Sequence, residues 1–405
     1  MTDFSTISLS AAVLSLFKNL KADEGIDALI KMCALPEKTE LARLWADYYS
    51  ALCLSGCEDD AAKYFAERIL SDENPFSLRI AGKENACSLE KTVRRELKAL
   101  EALARLEPED FVGFYGEDIN SFPKWKSGKG GIPDLKKLEA ALKGRGCGVF
   151  AKSIAYSYDV KEKKIVPIEN VNPVRLADLK LYDDCKETVV ENTLSFLDGL
   201  PANNVLLYGD RGTGKSSTVH AVLNEYAERG LRLLEVFKAA IPDFPTVFKL
   251  IEKMKCFRFI IFIDDLTFVE GADDFAELKA ALEGSVSRLD NALIYATSNR
   301  RHLVKENYEE RASDLHANDT VQEQMSLSDR FGLTVTFLSP DKREFISILK
   351  EILADRNIAL DDGTLSLVAE RYALRKGGRS GRAAKQLADM IESRLRRGHD
   401  IENIF

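Results

Sequence analysis

The stretch YGDRGTGKSS, residues 208–217, fits the pattern GxxxxGK[ST] of a phosphate-binding loop, and its surroundings decide how the rest of the chain is read. It follows the apolar run NVLLY (204–208) and precedes a predicted helix from about Lys215 to Arg229 that Gly230 can close, which is the context the motif requires. Gly209, Gly212 and Gly214 let backbone N–H groups turn inward toward phosphate oxygens, and the following helix adds the positive end of its dipole. Asp210, Arg211, Thr213 and Ser217 complete the loop. Lys215 is expected to reach β- and γ-phosphates and the Ser216 hydroxyl to ligate magnesium.

Downstream, FRFIIFIDDLTF (257–268) reads as a buried strand ending in two acids, the first of them 49 residues beyond Lys215. Asp264 is placed to hold the metal, and Asp265 to polarise an attacking water. A third apolar strand, NALIYATSNRRHL (291–303), ends in small polar residues. Asn299 at its tip can donate to a γ-phosphate or orient water, with Thr297 and Ser298 as neighbours in reserve, or can simply cap a strand-to-helix turn.

Between residues 172 and 339 strands and helices alternate, the pattern of a parallel sheet covered by helices. The predicted strands are Val205 to Tyr208, Leu231 to Phe237, Phe257 to Asp264, Leu293 to Thr297 and Leu333 to Leu338. After Ser339-Pro340-Asp341 the chain reads as helical to its end, giving a small domain over 340–405. Residues 1–106 show apolar positions every three or four residues and little β-branched alternation, so an all-helical domain is predicted there. The stretch 107–171 is predicted to be a linker: it is rich in Gly, Pro and acids to residue 133, then carries a short helix and two strand-like runs, VFAKSIAYSY and KKIVPIE. Those runs are expected to form a hairpin packed beside the next domain.

Composition excludes several classes. The 405-residue chain is 45% hydrophobic and 30% charged, which suits a globular protein of two or three domains rather than a disordered or fibrous one. A formal charge of -8 gives no global attraction to nucleic acid or anionic lipid. The seven cysteines are scattered at 33, 53, 57, 87, 147, 185 and 256, a pattern of reduced thiols rather than a disulfide framework. Cys53 and Cys57 lie one helical turn apart but lack a second pair or a neighbouring histidine for a metal. MTDFSTISLS has no basic region before an apolar stretch, and no run approaches a membrane span, so a cytoplasmic location without membrane contact is expected.

The order of phosphate loop, double acid, polar strand tip, arginine and helical lid over residues 172 to about 395 resembles the AAA+ ATPases. PANNVLLYGDRGTGKSS, ALEGS, IYATSNRRHL and LSDRFG look more narrowly like a bacterial AAA+ subgroup catalogued as a domain of unknown function. The resemblance implies an α/β fold, a parallel five-stranded sheet with helices on both faces and a C-terminal helical lid, which here follow the all-α domain read from periodicity. It equates the loop and the double acid with the Walker A and Walker B motifs, and implies ATP and Mg2+ as ligands. It makes Arg330, in LSDRFGL (327–333), the arginine finger inserted toward a neighbouring subunit's γ-phosphate, so that active sites lie at the boundaries of a homo-oligomer. Arg382, in GGRSGRAAKQLADMI (377–391), matches the lid arginine that senses nucleotide state, with Arg379 as the alternative. VRLADLKLYDD (174–184) resembles the adenine-pocket segment, with Leu179 and Tyr182 as candidates.

Two positions depart from the family pattern. Asp265 stands where glutamate is usual, which leaves Glu270 as an alternative base, and Leu181 stands where the adenine segment has glycine. Three functions follow: an ATP-driven remodeller of a macromolecular client that docks through the N-terminal helical domain, a slow nucleotide-dependent switch or scaffold, and a nucleic-acid-associated ATPase. The last rests on nine basic residues between 371 and 397 facing only Asp389 and Glu392, a run that a solvated, nucleotide-sensing lid face explains as well.

Overall fold

A computed structural model describes residues 2–266, 273–282, 289–299 and 330–401. The chain forms two compact units, one of residues 1–153 with Lys253–Cys256, the other of 154–252 with 257–405.

The first unit is helical: α1 (Phe4–Ala12), α2 (Glu24–Met32), α3 (Lys38–Leu54), α4 (Ala61–Ser71), α5 (Pro75–Ala81), α6 (Glu90–Ala104), α7 (Pro108–Tyr115) and α8 (Leu135–Arg145). The side chains of Asp3, Asp23, Asp60, Asn74 and Asp134 each accept an N–H of the first turn that follows, which fixes where α1, α2, α4, α5 and α8 begin. The glycine- and proline-rich stretch after Leu106 packs into this unit. Phe111 and Trp125 are buried, and Trp125 Nε1 donates to Leu106 O at 2.8 Å while Trp45 Nε1 donates to Pro123 O at 2.7 Å. Glu96 is only 1% exposed, and its carboxylate accepts from Ser15 N, Ser15 Oγ, Leu16 N and Phe17 N at 2.6 to 3.0 Å. Those donors satisfy a charge that would otherwise be costly to bury.

The second unit holds a sheet of seven strands in the order β2-β1-β4-β5-β6-β3-β7. They are β1 (Ala155–Asp159), β2 (Lys164–Pro167), β3 (Val205–Gly209), β4 (Leu231–Glu235), β5 (Arg258–Ile263), β6 (Ala292–Ser298) and β7 (Leu333–Phe337). The five strands read from the sequence are present and mutually parallel, but the count of five is corrected to seven. The hairpin does not stand beside the sheet: β1 pairs parallel with β4, Ala155 opposite Leu233, and antiparallel with β2. It thereby covers the open N–H and C=O row that β4 would expose at the edge.

Both faces of the sheet are covered. Val205, Leu207, Leu231, Leu233, Ile260, Phe262 and Tyr295 form one apolar cluster with Val189 of α9 (Asp183–Leu197) and Val219 and Val222 of α10 (Lys215–Tyr226). The strand residues of opposite parity, Leu206, Leu234, Ile261, Ile263 and Ala296, are equally buried. This is why the central strands read as unbroken apolar runs. Between β4 and β5 lies α11 (Phe244–Glu252), and between β5 and β6 lies α12 (Asp273–Leu282).

Among the described residues, three helices follow β7: α13 (Lys342–Asp355), α14 (Asp362–Lys376) and α15 (Gly381–Arg396). Their own core contains Phe345, Ile348, Leu349, Leu365, Val368, Leu387 and Ile391. Asp341, Asp361 and Ser380 cap their first turns.

Candidate functional site

The sequence predictions converge at the carboxyl ends of β3, β5 and β6. A cleft of about 880 Å3 there is lined by residues 211–218 of the phosphate loop, by Asp264, Asp265, Thr297 and Asn299, by the segment 178–182, and by Arg382 and Lys385 of α15. The loop begins with Gly209 at φ +135°, where any Cβ would overlap the Phe337 carbonyl of β7, so only glycine fits between the two strands. Gly214, at φ +102°, turns the chain into α10.

Lys215 opens α10 and is 6% exposed. Its Nζ donates to Gly209 O at 2.8 Å, Asp210 O at 2.7 Å and Asn299 Oδ1 at 3.2 Å. Burial lowers its pKa, against the opposing pull of Asp210, Asp264 and Asp265. Ser216 Oγ donates to Asp264 Oδ1 at 2.6 Å, which sets a hydroxyl and a carboxylate oxygen side by side. Thr297 closes the arrangement from the next strand: its Oγ1 donates to the same Asp264 oxygen at 2.5 Å and accepts from Asp265 N at 2.9 Å.

Asp265 adopts φ +51°, an uncommon conformation for a residue with a side chain. Its carboxylate accepts from Asn299 Nδ2 at 2.6 Å, so Asn299 bridges Lys215 and Asp265. The residue read as a possible turn cap is therefore a junction of the site. Of the two candidate acids for polarising water, Asp265 lies in this cleft, while Glu270 falls outside the described residues.

Asp210 is turned away from the loop. Its carboxylate accepts from Ser339 N at 2.8 Å, its pKa is lowered by hydrogen bonding to the side chain and then the backbone of Ser339, and its N–H donates to Phe337 O at 3.0 Å. The strap that leads from β7 into α13 is thus tied to the phosphate loop. Tyr182 ties the same strap, donating from its hydroxyl to Leu338 O at 2.5 Å while its ring packs against Phe337. Leu181, at the position where the family pattern has glycine, takes a left-handed φ of +70° and packs against the core of the C-terminal helices. The backbone shape that glycine would supply is kept, at a cost of order 1 kcal/mol.

Arg382 sits at the start of α15, its N–H donating to Gly212 O at 3.0 Å. The alternative, Arg379, is held by Glu370 at 3.1 Å and does not line the cleft. Leu179 and Tyr182 line the cleft together, as do Arg211, Thr213 and Ser217. Arg330 does not. It precedes β7 and lines a separate cavity of about 680 Å3 with Asn204, Arg258 and Leu293, at the amino ends of the strands. The length of a five-residue strand separates it from the loop, roughly 16 Å. Sequence reading passed over the tie of Asp210 to Ser339, which no local spacing records, and counted Lys385 only within the basic run 371–397, although its place three residues after Arg382 on one helix face was a usable signal.

The oxygen donors Ser216 and Asp264, beside a loop of inward-turned backbone, suit a hard cation that keeps most of its waters. Among the described residues no group of three or more His, Cys, Asp or Glu gathers as a stand-alone metal cage, and this chemistry needs none.

Fold and site together define a phosphate-loop protein of the AAA+ α/β class, with a helical amino-terminal region. The chain belongs to the family described as "Protein of unknown function (DUF815)", which matches residues 151–395. It is 25% identical over 216 residues to the replication factor C large subunit of Staphylothermus marinus, over 52% of this chain and 45% of that protein, so it spans less than half of that relative. Thermotoga maritima RuvB, titled a Holliday junction branch migration motor, is similar over 58% of this chain and 70% of its own, at 18% identity and a TM-score of 0.39. C. elegans PCH-2 is similar over 56% of this chain and 68% of its own, also at 18% identity and 0.39. No helix among the described residues is long and apolar enough to cross a membrane.

Proposed function

We propose that this protein binds Mg-ATP in the cleft, hydrolyses it slowly, and couples nucleotide state to assembly of a cytoplasmic homo-oligomer and to remodelling of a macromolecular client. The observation that carries the reading is the continuous bonding of Lys215, Asn299 and Asp265 beside the Ser216–Asp264 pair. In this assignment Lys215 engages the β- and γ-phosphates, the loop N–H groups cradle them, and Ser216 with Asp264 holds the cation. The bound cation would supply positive charge to the phosphate oxygens.

Asp265 accepts the proton of the attacking water, and Asn299 orients that water by exchanging its bond to Asp265 for one to it. Leu179 and Tyr182 flank the base, and Arg382 reports nucleotide state from the lid formed by α13 to α15. Arg330, at the far end of its own sheet, serves the site of a neighbouring copy. The N-terminal helical domain, residues 1–106 with the stretch to 153 that packs into the same unit, is the docking module for a protein client. A specific observation favours a second reading, a slow switch: the carboxylate of Asp265 is shorter than glutamate and is already engaged by Asn299.

Steady-state ATP turnover against protein concentration tests the proposal. Turnover per subunit should rise with concentration, vanish in Lys215→Ala, and fall more than in proportion when Arg330→Ala subunits are mixed with wild type. Turnover independent of concentration and indifferent to Arg330→Ala would sink the shared-site reading. Tight ATP binding with no turnover and an ATP-dependent change of mass would select the switch.

A further inference from the structure

Helix α15 brings to the cleft a second cation, Lys385, that the assignment above leaves unused. The helix starts on the phosphate loop, where Arg382 N donates to Gly212 O. Lys385 lies three residues on, on the same face as Arg382 and about 4.5 Å further along the axis. Further still, Asp389 and Glu392 hold Arg356 at 2.6 and 3.0 Å, and Arg356 lines the cleft with Ile352 and Asp355 of α13. Lys385 therefore stands between the phosphate loop and the end of the cleft where α13 closes it.

The other cations near that end are engaged. Lys180 pairs with Asp355 at 2.8 Å, and Lys186 donates to Leu179 O at 2.6 Å and pairs with Asp183 at 2.7 Å. Lys385 is exposed, and among the described residues its ammonium makes no hydrogen bond or ion pair. Each of those would have to give up a partner to meet an anion; Lys385 can take an incoming anion without first losing one.

We propose that Lys385 binds the α- and β-phosphates of the nucleotide, a contact common to di- and triphosphate, while Arg382, nearer the loop, reads the γ-phosphate. The inference rests on the nucleotide reading above and divides the lid's work: Lys385 sets affinity, and Arg382 sets the preference for ATP over ADP. Isothermal titration of the full chain with Mg-ATP and with Mg-ADP tests it. Lys385→Gln should raise both dissociation constants about tenfold at low ionic strength, the usual size of one charge-assisted bond, and leave their ratio unchanged. The effect should shrink at about 1 M salt, where charges are screened within a few ångströms. Lys385→Arg should retain affinity, and Arg382→Ala should change the ratio. Since Lys385 has no partner to lose among the described residues, the melting temperature of Lys385→Gln should match wild type. Unchanged affinity for both nucleotides, or a loss for ATP alone, overturns the proposal. Wild-type ATP binding by Lys215→Ala would instead overturn the nucleotide reading beneath it.

Discussion

Thr297→Val removes one hydroxyl and almost no volume, and the structure lets its cost be worked out. Thr297 is 2% exposed, and its Oγ1 sits between two groups just beyond the end of β5, donating to Asp264 Oδ1 at 2.5 Å and accepting from Asp265 N at 2.9 Å. Losing a hydroxyl bonded to a carboxylate costs about 1.5 to 3 kcal/mol, and the stranded Asp265 N–H adds about 1 kcal/mol. The added methyl returns about 0.8 kcal/mol by apolar burial, which leaves a net loss of roughly 2 kcal/mol. For a unit of this size that lowers the melting temperature by about 4 to 8 °C. Thr297→Ser keeps the oxygen and should recover most of the loss. The assay is thermal unfolding with and without Mg-ATP, alongside turnover at varied magnesium. Because Asp264 loses a fixed partner, the magnesium dependence should move to higher concentration in Thr297→Val and stay near wild type in Thr297→Ser. Equal melting temperatures and magnesium profiles for all three proteins would refute the idea that Thr297 holds the two acids in register.

Other outcomes follow from single contacts. Gly209→Ala forces a Cβ into the Phe337 carbonyl at a φ of +135°, so it should cost at least about 3 kcal/mol and abolish ATP binding, as read by circular dichroism and titration. Glu96→Gln in the amino-terminal unit should destabilise that unit by about 2 kcal/mol near neutral pH, since four donors of residues 15–17 and the Arg95 guanidinium serve a charged acceptor. Burial raises the pKa of Glu96, but bonds from Ser15, Phe17 and Leu16 outweigh it, so the folded value lies below that of an ordinary glutamate. The stabilisation is therefore complete above that value and is lost as pH falls through the lower folded pKa, so wild type and Glu96→Gln should converge in acid denaturation curves.

The phosphate loop, its strand and its helix were legible because the chemistry of that turn constrains residues within a dozen positions of one another. The apolar runs that became β4, β5 and β6 were legible for a different reason: strands buried on both faces must be apolar throughout. The hairpin was legible as two strands but not as the edge of this sheet. Its partner β4 lies far along the chain, and pairing at such separation leaves no local pattern. Stretch 107–133 reads as a linker because it is rich in glycine, proline and acidic residues, yet Trp125 anchors it through burial and one indole bond.

The class of protein and most of the residues that meet in the cleft are written in the chain: Lys215, Ser216, Asp264, Asp265 and Asn299 follow from the type of residue required at the tip of each strand. How they are joined is settled by the folding of distant segments onto one another. Thr297 locks the two acids, Asn299 spans Lys215 and Asp265, Asp210 reaches out to Ser339, and Arg379 is drawn off to Glu370 while Arg382 and Lys385 stay on the cleft. Arg330 stands a strand's length away at the other end of the sheet. These choices are made across strands and helices by hydrogen-bond geometry and charge pairing at distances of about 3 Å, and a linear spacing carries no record of them.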